Sequence, residues 1–106
     1  MDTDKIACFN VGQRVRHKLF DYRGVVFNVD AVFGSDDEWY EQVAKSCPPK
    51  DAPWYHVLPS GHEHTTYVAE CNLIADESRE AIEHPLLSTL FGEATDAGYT
   101  PRETLN

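Results

Sequence analysis

The chain has 106 residues, 42% of them hydrophobic, 11% aromatic and 25% charged. That is one domain's worth of sequence, with a composition that suits a globular protein rather than a disordered one. No stretch approaches the roughly 20 apolar residues of a membrane span, so no membrane association is expected. Met1-Asp2-Thr3-Asp4-Lys5 is acidic and polar, with no basic start leading into an apolar run, so a cytoplasmic location is expected. The formal net charge is −9 and is unevenly spread. Residues 1–33 carry five basic groups (Lys5, Arg14, Arg16, Lys18, Arg23) against four acidic ones; the remainder carries four basic against fourteen acidic. An acidic whole argues against tight, general nucleic-acid binding, which is driven by cation release at phosphates. Any such surface must be local and lie in the first third. Cys8, Cys47 and Cys71 are scattered and odd in number, without a Cys-x-x-Cys pair, and read as reduced thiols.

In chain order, residues 11–17 alternate Val15 with basic neighbours, the pattern of a strand with one wet face. Gly12 before it suits a turn or bulge. Asp21-Tyr22-Arg23-Gly24 is turn-like. Residues 24–33 are the strongest strand, long enough to bend and be shared between two halves of a small barrel. Ser35 and Glu38 stand in capping-box spacing, and Trp39, Tyr40 and Val43 follow at helical spacing until Pro48-Pro49. This predicts a short helix in a loop insertion around 35–52. Residues 53–59 and 64–70 read as a hairpin across Ser60-Gly61, and residues 72–75 as a short closing strand. Residues 76–83 are acidic and helix-friendly, and His84 to Gly92 reads as a short helix stopped by Gly92. Residues 93–106 read as a loose tail. The sum is a mainly β chain. It predicts a small SH3-like, partly open β-barrel over 1–76, with one or two short peripheral helices. Residues 77–106 follow as an acidic helical segment and loose C-terminal tail of the same single domain.

Two groups of segments carry a family likeness. The first is Phe9-Asn10-Val11-Gly12-Gln13-Arg14-Val15-Arg16-His17, with Tyr22-Arg23-Gly24-Val25-Val26 and Val29-Asp30. The second is Ala52-Pro53-Trp54-Tyr55-His56-Val57, with His64-Thr65-Thr66-Tyr67-Val68-Ala69-Glu70 and Leu73. In order and spacing these resemble the HspQ, or YccV-like, family of heat-shock and hemimethylated-DNA-binding proteins. The resemblance implies an SH3-like barrel without an active site. It implies two roles: binding hemimethylated DNA, and assisting the Lon protease in degrading damaged proteins. It also implies a homo-oligomer, for which a trimer is the candidate. The linker of residues 34–52 departs from the family pattern, and the region after Asp76 matches it only loosely.

Arg14, Arg16, Lys18 and Arg23 form the basic cluster, with His17 among them. Arg14 and Arg16 share a predicted strand face, and Lys18 and Arg23 flank the turn. The cluster is either a solvated face balanced by Asp21 and Asp30 or a phosphate-contacting edge. Four phosphate contacts would give a salt slope of about −3.6 on duplex DNA. Reading a hemimethylated site requires an apolar contact in the major groove, and no residue is singled out for it. His17 reads as a structural histidine rather than a general base. Alternation puts Trp54 with His56 and Tyr55 with Val57. Trp54, Tyr55 and Tyr67 are either core or an exposed aromatic surface that stacks bases or receives a peptide. The second case, an SH3-like peptide- or protein-binding adaptor with no DNA role, is the alternative function. His56, His62 and His64 read as part of a polar turn rather than a zinc site. Leu86, Leu87, Leu90 and Phe91 beside the acidic stretch suit a partner-binding segment. The tail, Glu103-Thr104-Leu105-Asn106, suits a starting point for an unfolding protease. No Gly-rich phosphate loop, triad or paired-carboxylate motif is present, so no catalytic residue, metal or cofactor is expected.

Overall fold

Val15 between Arg14 and Arg16, then Val25-Val26-Phe27, set the first two strands of an antiparallel sheet. The computed structural model describes residues 8–34, 52–95 and 98–101. In chain order the elements are β1 (Arg14–His17), β2 (Arg23–Asp30), β3 (Trp54–Pro59), β4 (Thr66–Ala69), a 3-10 turn (Glu70–Asn72), β5 (Leu73–Ala75), α1 (Leu87–Leu90), β6 (Phe91–Thr95) and β7 (Gly98–Pro101). The first five strands form one sheet in the order β4-β3-β2-β1-β5. Its two edges, β4 and β5, are joined through the 3-10 turn rather than by hydrogen bonds to each other. This is the mainly β, partly open SH3-like arrangement the sequence predicts. The register of β2 shifts between Val26 and Asn28, a bulge that bends the strand. Its first half pairs with β1 (Arg14 opposite Val25), and its whole length pairs with β3 (Asp30 opposite Trp54).

Both faces of the central strands are covered. Val15, Val26, Tyr55, Val57, Val68 and Leu73 pack on one side; Val25, Leu58, Ile82 and Phe91 pack on the other. Each such side chain contributes roughly 1.5–3 kcal/mol by leaving water. The Tyr55 hydroxyl accepts the N–H groups of Cys8 and Phe9 at 2.9 and 3.2 Å and donates to Glu70 at 3.2 Å. Burial, chiefly, pushes its phenol up to about 12.

The C-terminal third departs from expectation. The segment 77–83 is not helical, because its backbone groups are engaged elsewhere. The Ile82 N–H donates to the Tyr99 hydroxyl at 3.0 Å, the Glu83 N–H to Ser60 Oγ at 3.0 Å, and the Gly61 N–H to the Glu83 carbonyl at 2.7 Å. The short helix ends at Leu90, and Gly92 lies inside β6 rather than stopping a helix. Residues 91–101 form the β6–β7 hairpin in place of a loose tail, seated through Phe91 on Val25 and Leu58. Gly12 (φ +96°) and Gly98 (φ +144°) let the hairpin approach β1, since a Cβ on either would run into the other segment's backbone. The Tyr99 N–H donates to the Gly12 carbonyl at 2.7 Å. The helix expected near 35–46 and the tail 102–106 lie outside the described residues. Among the described residues no helix is long and apolar enough to cross a membrane.

Candidate nucleic-acid interface

The five residues expected to meet DNA divide into different environments. Arg14 is not on a wet face: it is 6% exposed, with its guanidinium carbon 5.0 Å from the centre of the Tyr99 ring. The β6–β7 hairpin, invisible to alternation within β1, covers that face. Arg23 is held by acids, its Nε 2.6 Å from Asp76 Oδ2 and its Nη2 donating to the Glu80 carbonyl at 2.6 Å. Arg16 is half-buried, its Nη atoms 3.6 Å from Asp21 and 3.9 Å from Asp76. Lys18 is exposed and forms no ion pair among the described residues. Asp30, expected to balance the arginines, instead accepts from the Tyr67 hydroxyl at 2.7 Å and lies 3.1 Å from His56 Nε2.

His17 organises the turn between β1 and β2. Its ring is buried, and Nδ1 accepts the N–H groups of Leu19 and Phe20 at 3.0 and 3.1 Å. Nδ1 therefore carries no proton in this geometry, and burial lowers the pKa of the ring. The ring stacks between Phe20, at 4.7 Å, and Tyr22, at 5.2 Å. The turn closes with the His17 N–H on the Tyr22 carbonyl at 2.8 Å and the Asp21 N–H on the His17 carbonyl at 2.9 Å. Its tip is nonetheless open to water, with Leu19 59% and Phe20 69% exposed. Sequence reasoning passed over these two; the available signal was a pair of large apolar residues in an otherwise polar turn.

Of the two readings of Trp54, Tyr55 and Tyr67, core or exposed aromatic surface, the core one fits Trp54 and Tyr55. Trp54 and Tyr55 are buried on opposite faces of β3, each covered by packing, and Tyr67 is half-buried. Trp54 packs edge-on against Phe33 at 5.0 Å and tilted against Tyr67 at 5.1 Å. Tyr67 accepts the Gly34 N–H at 2.8 Å while donating to Asp30. Burial first, and then Asp30, pushes its phenol up to about 12. His56 belongs to this cluster, 4.5 Å from Tyr67, and the His62 and His64 rings stand 5.1 Å apart. His84 Nε2 bonds the His64 carbonyl at 2.7 Å.

What remains is a hydrogen-bonded turn, residues 16–21, that presents two cations and two apolar side chains. A family model, that of hemimethylated DNA-binding proteins of the YccV-like type, matches residues 7–98. The chain belongs to the YccV-like family. The YccV-like match takes in all of β1 and β2, with the His17-pinned turn between them. It runs on through β6 to Gly98, the first residue of β7.

Proposed function

We propose that this chain is a non-catalytic, cytoplasmic protein that binds hemimethylated DNA with the β1–β2 turn. The observation that carries the reading is Phe20: its ring and N–H are fixed by His17, yet 69% of the residue is exposed, beside Lys18. A methyl group in the major groove is read by an apolar contact, and a pre-fixed aromatic edge makes one without losing side-chain freedom. Lys18 and Arg16 supply phosphate contacts. Two of them give a salt slope of about −1.8, in place of the steeper slope of four. A small electrostatic contribution suits a chain of net charge −9. Assistance to Lon-dependent degradation of heat-damaged proteins, and a homo-oligomeric state, belong to the proposal through the family resemblance. The tail residues that would carry the protease contact lie outside the described residues.

Binding to matched hemimethylated, fully methylated and unmethylated duplexes, across a salt series, tests the reading. A preference for the hemimethylated over the unmethylated duplex that Phe20→Ala abolishes supports it. Equal, negligible binding to all three overturns it.

A further inference from the structure

Arg14 is a buried cation without a carboxylate partner among the described residues. Its Nε has no hydrogen-bond partner, and it forms no ion pair among the described residues. The ring of Tyr99 is its compensation. A desolvated guanidinium is ordinarily offset by an acidic partner and by hydrogen bonds to all its N–H groups. The acid that touches it through the backbone is committed elsewhere: the Asp76 N–H donates to the Arg14 carbonyl at 3.0 Å, but its carboxylate holds Arg23.

Arg14 also forms part of the wall of an open cavity of about 670 Å³, between the turn before β1, the end of β5 and the β6–β7 hairpin. That is within the range of small-molecule sites, roughly 300–1,000 Å³. Asn10, Gln13, Thr95 and Tyr99 give the wall neutral hydrogen-bonding groups, and Arg79 adds a second cation. Asp76, already paired with Arg23, and Glu77 line the same wall and set a limit on the charge that fits. Two carboxylates beside two cations oppose a polyanion running past the wall.

We propose that Arg14 and this cavity form a binding site for a small ligand bearing a single phosphate or carboxylate group. The guanidinium supplies a planar donor fork matched to two oxygens of such a group. The Tyr99 ring holds the fork in place. The site stands apart from the DNA-reading turn, since Arg14 and His17 are at opposite ends of β1, roughly 10 Å apart at strand rise.

Thermal unfolding of the wild type and of Arg14→Met, at constant ionic strength in chloride, acetate or inorganic phosphate, tests this. The wild-type midpoint should rise saturably with phosphate or acetate over chloride, while Arg14→Met does not respond. The oxyanion giving the larger rise identifies the group. An equal rise in both proteins marks a general salt effect and overturns the site, as does no rise in the wild type. Should Arg14→Met fail to fold, the Arg14 Nε–H resonance of the wild type gives the reading alone. A saturable shift with either oxyanion supports the site, and invariance overturns it. An unmethylated duplex that displaces phosphate would assign Arg14 to DNA and overturn the small-ligand reading. Phe20→Ala should keep the phosphate response, which separates this proposal from the fate of the DNA reading.

Discussion

Arg23 Nε lies 2.6 Å from Asp76 Oδ2, and this pair spans β1 to join β2 to the residue that follows β5. The Asp76 side chain is 2% exposed and that of Arg23 is 18%. From the same guanidinium a second bond reaches the Glu80 carbonyl and fixes the start of the chain's return to the outer face of the sheet. The contact removes Arg23 from the basic cluster and commits the Asp76 carboxylate away from Arg14.

Asp76→Asn should therefore destabilise the fold by about 2–3 kcal/mol at pH 7, somewhat less than a fully buried pair costs, because Arg23 keeps some water. Burial raises the Asp76 pKa, but hydrogen bonds from Arg23 and Ser78 and the Arg23 charge outweigh it, leaving it below the ordinary 3.8. Asp30 is lowered as well, by the Tyr67 hydroxyl first and by His56, against the opposing effect of burial. A carboxyl depressed on folding gives stability that is present above its unfolded-state pKa. That stability is lost as pH falls through the folded-state value. The wild type should lose stability below about pH 4, and Asp76→Asn should lose less over the same window. Urea unfolding at pH 7 and pH 3 measures both, and parallel losses in the two proteins would count against this account.

Much of the sheet was legible because its signals are local. Val25-Val26-Phe27 specify a strand, the length of residues 24–33 anticipated the bend at the bulge, and Ser60-Gly61 marked the β3–β4 turn. Two of the misreadings share one cause. Alternation put Arg14 on a wet face, and composition made residues 76–83 helical, yet both are decided by the distant β6–β7 hairpin. Tyr99 covers Arg14 and bonds the Ile82 N–H, across sequence separations that no window spans. Ile82 itself, an apolar residue in an acidic stretch, enters the core beside Phe91 and Leu58.

The hairpin's seat can be tested at two glycines with similar backbone angles. Gly12 has φ +96° and no room for a Cβ against Tyr99; Gly61 has φ +85° and open space around it. Gly12→Ala should cost about 3 kcal/mol or more, from left-handed strain plus a backbone clash, and should speed hydrogen exchange at the Tyr99 N–H. Gly61→Ala should cost about 1 kcal/mol, from the left-handed angle alone. Equal losses in the two variants would mean that the close approach of Gly12 to the hairpin contributes nothing.

His17 makes the turn sensitive to pH. Burial lowers its pKa below the ordinary 6.5, so its neutral form is the one that folds. The stability it contributes is present above about pH 6.5 and is lost as pH falls from there through the folded-state value. Protonation at Nδ1 removes the acceptor for the Leu19 and Phe20 N–H groups. The amide resonances of both should move as pH drops below that point, and preference among duplexes should fall with them. His17→Asn, which offers an uncharged acceptor at a similar reach, should flatten this dependence. A Phe20 amide unmoved down to the onset of acid unfolding would sink the account.

Methyl reading and phosphate contact should separate by variant. Burying one methyl against Phe20 is worth about 0.8 kcal/mol, so the preference for a methylated over an unmethylated duplex should be about fourfold. Phe20→Ala should lose that preference and keep the salt slope. Lys18→Ala should do the reverse, lowering the magnitude of the slope by about 0.9 with the preference intact. Arg16→Ala should lower it by less, since Asp21 and Asp76 already share that charge. Plots of log Kd against log salt for each protein on each duplex give both quantities. A preference that survives in Phe20→Ala would move methyl recognition off this turn. A wild-type slope in Lys18→Ala would leave the exposed cation without a phosphate.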